Sequence, residues 1–570
     1  MKKKAFVVAI ALSLLLGMIM VAVGGEMVDG EEKVTENIDY EIQPSQEIND
    51  WHDLDTVRDG GGGNYILKDD LDEDTAGYDQ LVDTEEGWEP IEDFPGTFDG
   101  NGHKIRDLYI DRPEKDSVGL FGSSAGEIEN VELVDADIKG GDDVGGLTGV
   151  NYGEVINSGV EGQVTGDKFV GGIIGREIRL LGDTTLRDSY FEGEIRGEIY
   201  VGGIVGYIGD HQDHQIENSH YNVDEVLING ENHITFGGLF HGQYQDWIED
   251  KELEIEDYEG TLVPSGDHYE INDAEGFKDL LGFAGDHEKS FRLSDDVDLS
   301  EEPGLHIPYL AADFDGDSHI VSGLTLNQPF GFTVSLFAYN EDALVENLGI
   351  FDCDIEGHMY VGGLVGRNDQ GEVMNCYAKG EVSGNDSIGG LVASNAGSIT
   401  DSYSLAEVSG ETSVGGLIGA NGGDVVNTYA AGDVKGDKTV GGLVGRDWNG
   451  TVKNSFWDTE TTGQDESDGG TGKSTEEMKD VATYTDTDTE GLEEPWDFVG
   501  NPNDDDGDEE IWDIDEEGVI NDGYPAFAWE EEVEIEEEDE EDEDGIPGFT
   551  STLLLLALVI VVAVHYKKKR

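Results

Sequence analysis

VGGLVGRNDQGEVMNCYAKGEVSG, Val361 to Gly384, decides the fold because it recurs. From Val414 the chain reads VGGLIGANGGDVVNTYAAGDVKG, and from Val440 it reads VGGLVGRDWNGTVKNSFWD. The V/I/F-G-G-L/I unit also starts at Val144, Val170, Val201, Phe236 and Ile388, with degenerate copies at Val118 and Val334. Steps between successive copies are 27, 27, 26 and 26 residues in the second half of the chain. They are 26, 26, 31 and 35 in the first half, where insertions enter. Each unit holds short apolar runs cut off by Gly, Asn or Asp, which reads as strands between turns. The units offer no uninterrupted helical periodicity of ten residues or more.

Short strands repeated in register every ~26 residues predict one coil of a parallel β-solenoid per unit, with equivalent strands ~4.8 Å apart. One coil cannot bury its own apolar face, so identical positions must stack to make the core. Val361 is expected to lie against Ile388, Val414 and Val440, and Leu364 to continue into Leu391, Leu417 and Leu443. The glycine pair serves positive φ or close backbone packing at a corner. Asn375, Asp401, Asn427 and Asn454 are expected to form a polar ladder in turn geometry.

A duplication lies above the repeat. EINDWHDLDTVRDG from Glu47 matches EINDAEGFKDLLGF from Glu270, and GTFDGNGHKIRDLYI from Gly96 matches ADFDGDSHIVSGLTL from Ala312. The expectation is an all-β chain with two tandem parallel β-solenoids, 43–262 and 263–460. Each opens with a preamble that caps its edge. A further capping region is placed at 461–529.

The chain of 570 residues carries 129 acids and 32 bases. All the acids and 25 of the bases lie in 26–545, a net of −104. Self-repulsion on that scale disfavours a compact state unless salt screens it, and at ~1 M salt the Debye length is ~3 Å. The reading is a halophile's protein, acid-coated and folded in molar salt. Such a field disfavours nucleic acid as a partner. Residues 1–25 have a basic start, an apolar run and small residues at Ala22, Gly24 and Gly25, the pattern of a signal peptide. Residues 26–42 read as a linker. The sequence EEEVEIEEEDEEDEDG at 530–545 is a self-repelling stalk that reaches roughly 50 Å. Ile546 to Tyr566 is long and apolar enough to span a bilayer, and KKKR follows on the cytoplasmic side. These segments place 26–545 at the extracellular face of the membrane, anchored at the C-terminus.

The repeats resemble the GLUG-motif family, whose G-L-x-G signature stands here as Gly363-Leu364-Val365-Gly366, Gly416-Leu417-Ile418-Gly419 and Gly442-Leu443-Val444-Gly445. FDGNGH at 98–103 and the tail from FWDTETTGQ to NDGYPAFAW extend the resemblance over about 90–530. Ala393 in place of the last Gly, and His241 after GGLF, depart from the pattern. The resemblance implies large microbial surface proteins, some with bacterial IgA-peptidase architectures, and no established catalysis by the repeat. Pro547-Gly548-Phe549, the apolar span and the basic end resemble an archaeal PGF-CTERM sorting signal. That resemblance implies an archaeosortase as partner and transfer of the chain to a membrane lipid anchor.

Chemistry-bearing candidates are few. Tyr377, Tyr403, Tyr429 and Phe456 are spaced to stack as an aromatic ladder. Exposed, the ladder binds sugar rings; buried, it is core. Asn385 and Asn449 open N-x-S/T sequons that permit N-glycosylation. Acidic loops at 501–510 and 313–319 are candidate Ca²⁺ ligands, without the EF-hand glycine spacing, and no other cofactor is expected. Cys353 and Cys376 are either a disulfide or two buried thiols. With no recurrent base among the carboxylates and no catalytic motif, the chain reads as a non-enzymatic structural or adhesion protein. Cell-envelope glycans or surface proteins are its candidate partners. The alternatives are a glycan-binding module using the ladder and a secreted β-helix carbohydrate-active or protease-associated enzyme.

Overall fold

The computed structural model describes residues 45–178, 185–208, 215–499, 511–514 and 520–530. These residues are mostly strand, wound into a parallel β-solenoid of about 13 turns. In the second half the strands Val365–Asp369, Val392–Asn395, Ile418–Asn421 and Val444–Asp447 stack in parallel, placing Val365 beside Val392, Ile418 and Val444 in turn. Val361 pairs with Ile388, Ile388 with Val414, and Val414 with Val440. Leu364, Leu391, Leu417 and Leu443 follow one another at 0% exposure. The register read from the spacing of the repeats is therefore the register of the fold. The first half stacks likewise, with Val144 against Val170 and Val170 against Val201.

In the copies from Val361 to Val440 the glycine pair has two separate jobs, and neither is positive φ; at the Phe236 copy Gly237 does take a left-handed φ of 80°. A Cβ on the first glycine would meet the carbonyl oxygen three residues on: 2.3 Å at Gly362, 2.0 Å at Gly389, and 1.9 Å at Gly415 and Gly441. A Cβ on the second glycine would meet the second glycine of the next coil: 2.4 Å from Gly363 to Gly390 O, and 2.3 Å from Gly416 to Gly442 O. The first glycine makes the corner and the second lets coils stack. Left-handed φ falls on the residue before the motif instead, at Tyr360, Ser387, Ser413 and Thr439.

Asn375, Asp401, Asn427 and Asn454 are all left-handed, with φ between 45° and 54°. Three of them form the expected ladder, with Asn427 Nδ2 donating to Asp401 Oδ1 at 3.0 Å and Asn454 Nδ2 to Asn427 Oδ1 at 3.3 Å, while Asn375 Nδ2 donates to Asn347 Oδ1 at 3.0 Å. The residue after each is a second rung. The Ser402 hydroxyl accepts from Cys376 N at 3.2 Å, and Ser455 accepts from Thr428 N at 3.2 Å. Cys376 thus occupies a serine position in the stack. Both cysteines are free and buried, and burial pushes each thiol up to about 12.

The duplicated preambles fold alike. Strands Gln46–Ile48 and His268–Ile271 lead into helices Trp51–Asp55 and Ala274–Leu280, N-capped by Asp50 and Asp273. Each helix buries one apolar face, through Trp51 and Leu54 or Phe277 and Leu280. Beyond short one-turn helices at Tyr78–Leu81, Thr475–Met478 and Ala482–Thr485, the described residues hold a longer helix that periodicity did not reveal, His241–Asp250. It starts at the residue that broke the GGLF pattern. It carries few apolar residues and is held by the burial of Tyr244 and Trp247 and by Lys251 Nζ, 4.0 Å from the Trp247 ring centroid.

Among the described residues no helix is long and apolar enough to cross a membrane. The terminal segments 1–25 and 546–570, with Pro547, Gly548 and Phe549, lie outside the described residues, as do loop 501–510 and the stalk beyond Glu530.

Candidate functional site

The aromatic ladder is formed as the spacing predicts. Tyr377 pairs in register with Tyr403, Tyr403 with Tyr429, and Tyr429 with Phe456. Ring centroids lie 5.0 Å apart for Tyr377–Tyr403 and 4.8 Å for Tyr403–Tyr429, with planes within 10°. The rings are nevertheless 0–3% exposed. A sugar has no face to stack on, so the reading of this ladder as a glycan platform is corrected: it is a second core.

The cover comes from the segment after the last coil. Trp496, Phe498, Trp512, Tyr524 and Phe527 are buried against the ladder, and Trp529 packs on Tyr377 at 5.8 Å. This segment lies along the side of the coils. The polar tips of Trp512, Trp496, Tyr524 and Tyr429 find partners, as buried aromatics with polar handles require. Trp512 Nε1 donates to Asp401 Oδ1 at 3.2 Å, Trp496 Nε1 to Asn454 O at 2.9 Å, and the Tyr524 hydroxyl to Asp458 Oδ2 at 2.6 Å. The Tyr429 hydroxyl donates to Pro525 O.

Glu530 closes the cover. Its side chain is 4% exposed and ion-pairs with Lys379 at 3.0 Å. It accepts from the Tyr403 hydroxyl at 2.6 Å and from Phe527 N at 2.8 Å. A buried carboxylate is stable only when so paired. Burial first, and the Glu530 charge second, push Tyr377, Tyr403 and Tyr429 well above the usual phenol range. The three hydroxyls therefore stay protonated, and those of Tyr403 and Tyr429 serve as donors. Nothing in this arrangement is positioned to attack or protonate a substrate.

A second asparagine ladder escaped the sequence reading. Asn340 Nδ2 donates to Asn368 Oδ1 at 2.9 Å, Asn368 to Asn395 at 2.9 Å, Asn395 to Asn421 at 3.0 Å, and Asn421 to Asp447 at 3.1 Å. The four asparagines are 0–2% exposed. The 26- to 28-residue spacing was visible, but the residues sit just after the apolar run and read as loop.

The other candidates disperse. Asn385 and Asn449 are exposed, the latter beside Trp448, which is 57% exposed and carries Arg446 at 3.8 Å. The 313–319 stretch is part of the strand Asp313–Ser322 and not the expected loop; in it Asp313 accepts from Leu344 N at 2.9 Å, and Asp315 pairs with Arg292 at 2.7 Å. Both carboxylates thus serve the chain itself. Among the described residues no group of three or more His, Cys, Asp or Glu side chains is placed to hold a metal.

Residues 357–383 match the model of the GLUG motif. Over 145 residues, 24% of the chain, the sequence is 39% identical to a halomucin from Haloquadratum walsbyi. Over 167 residues, 29% of the chain, it is 29% identical to a Gly-rich membrane protein from Evansella cellulosilytica. The matched regions span 2% and 11% of those relatives' own lengths. A provisionally assigned immunoglobulin A1 protease from Bacteroides ovatus is a distant structural neighbour. It has 21% identity and a TM-score of 0.36, over 46% of this chain and 93% of that one.

Proposed function

We propose that the chain is a non-enzymatic structural or adhesion protein of a halophile's cell surface, held at its C-terminus by a lipid or membrane anchor. The observation that carries this reading is how the repeated side chains are used. Valines and leucines fill the core, asparagines form internal ladders, and the aromatic ladder is sealed, leaving an acid-coated exterior. Such a coil stack sets a fixed distance and presents a surface. The names of two relatives, a halomucin and a membrane protein, support a place in the cell envelope. In this reading 26–42 joins the cleaved signal to the coils of 43–262 and 263–460. Residues 461–529 are a C-terminal capping region, 530–545 is the stalk, and an archaeosortase acts at Pro547-Gly548-Phe549. Envelope glycans or surface proteins are the partners, and Asn385 and Asn449 accept glycans.

The test separates display from catalysis. Residues 26–530, kept in multimolar salt, are incubated with envelope polysaccharides and with casein. The expected result is no new reducing ends and no new α-amino groups. Time-dependent release of either overturns the proposal in favour of a secreted enzyme.

A further inference from the structure

The cover of the tyrosine ladder runs back over coils that the chain has already made. Trp496 packs 6.2 Å from Phe456, the last rung. Trp512 lies 6.1 Å from Tyr403 and 6.2 Å from Tyr429. Phe527 lies 5.5 Å from Tyr403 and 6.2 Å from Tyr377, and Trp529 lies 5.8 Å from Tyr377. Each later part of the cover thus sits on an earlier coil. Glu530 is on the flank of the stack beside Lys379, at the level of Tyr377, and not at the end where the last coil was wound. The acidic run 530–545 continues from it in sequence, so a pull on that run enters the fold there.

The cover and the coils are held by different kinds of bond. The strands of the cover pair with one another: Trp512 N donates to Asp497 O at 2.9 Å, Val499 N to Trp512 O at 2.8 Å and Ala528 N to Ile511 O at 2.9 Å. What meets the coils is side chains, the aromatic rings together with the Glu530–Lys379 pair and the Trp512–Asp401 bond. The coils are tied by backbone on both sides. Strand Tyr377–Ser383 pairs with Leu344–Gly357 on one side and with Ser398–Ser404 and Glu407–Gly415 on the other. A pull at Glu530 therefore loads the contacts of the cover one after another, whereas a coil shares its load over two ladders. The coils also keep a separate core of their own, so the cover has the character of a unit that opens by itself. Salt alone does not release it, because the Glu530 and Lys379 side chains are only 4% and 21% exposed and screening acts chiefly on exposed charges.

We propose that the cover is a tension-released strap. Pull on the 530–545 segment lifts it from the ladder from Glu530 back to Trp496, while the coils stay wound. The stretch from Asp497 to Glu530, at ~3.4 Å per residue, then adds about 100 Å of reach between the coils and the point of attachment. The strap rests on the C-terminal anchor proposed above as the source of the pull. Tension applied directly tests the strap alone, so its failure would leave the anchor standing.

The test stretches single molecules of residues 26–545 in multimolar salt in an optical trap, with handles at the two ends. The expected first event is one lengthening of about 100 Å that precedes any unwinding of coils and reverses on relaxation. Trp529→Ala removes the outermost ring of the cover and should speed that event at a given force by about tenfold. A second handle position bypasses the cover: with the C-terminal handle moved to Asp465→Cys, an exposed site ahead of it, the event should vanish. Coils that give way first overturn the proposal. So does an event that persists with the handle at residue 465, or one that Trp529→Ala leaves unchanged.

Discussion

Gly415→Ala is expected to unfold the coils around it, although it adds a single methyl group. The new Cβ would sit 1.9 Å from Ile418 O and 2.6 Å from Gly445 N, both backbone atoms that cannot swing aside. Relief requires moving the corner, and the corner is pinned by coils on both sides. The cost should be about 3 kcal/mol or more, at the upper end for overpacking. Gly242→Ala is the control. That glycine lies in the helix His241–Asp250 with nothing within 4 Å of a new Cβ. Alanine there should stabilise by up to ~1 kcal/mol. Chemical unfolding of both variants in multimolar salt decides the matter. A change below ~1 kcal/mol for Gly415→Ala would mean that the corner is not as tight as described.

Trp512→Ala is expected to detach the cover while leaving the solenoid wound. The indole is fully buried and touches Tyr403, Tyr429, Trp496 and Phe527. Its removal should cost ~3–5 kcal/mol locally. The coils have their own valine and leucine core, so far-ultraviolet circular dichroism should persist. The tyrosines should not keep their protection. With the cover off, Tyr377, Tyr403 and Tyr429 gain water, and their ionisation should return towards the ordinary phenol value near ~10. Alkaline difference spectroscopy reads this directly, as extra phenolate absorbance at moderately alkaline pH. Retention of the wild-type titration curve would show that the cover does not seal the ladder.

The coil stack was legible because each coil repeats the same demands on the same positions. A glycine that must lie against a backbone carbonyl admits no other residue, so its spacing prints the register. Asn375 and its equivalents were legible because Asn or Asp recurs at that left-handed corner, whereas the left-handed corner before the glycine pair, at Tyr360, Ser387, Ser413 and Thr439, carries no such mark. The cover was not legible. Trp496, Trp512 and Phe527 have no copies in the other coils, so no period marks them, and they lie up to 150 residues from their partners in the chain. Spacing alone therefore gave the ladder but not its exposure. Helix His241–Asp250 was missed because two buried aromatics, not an apolar stripe, hold it.

The most direct test of the account is protease shaving of intact cells that make the protein, in their own salt, with released peptides and fragments read by mass spectrometry. The account predicts that cleavage in the acidic 530–545 segment frees a large folded fragment ending near Glu530, while the cells stay whole. A chain protected in intact cells and cut only after lysis would contradict display at the surface.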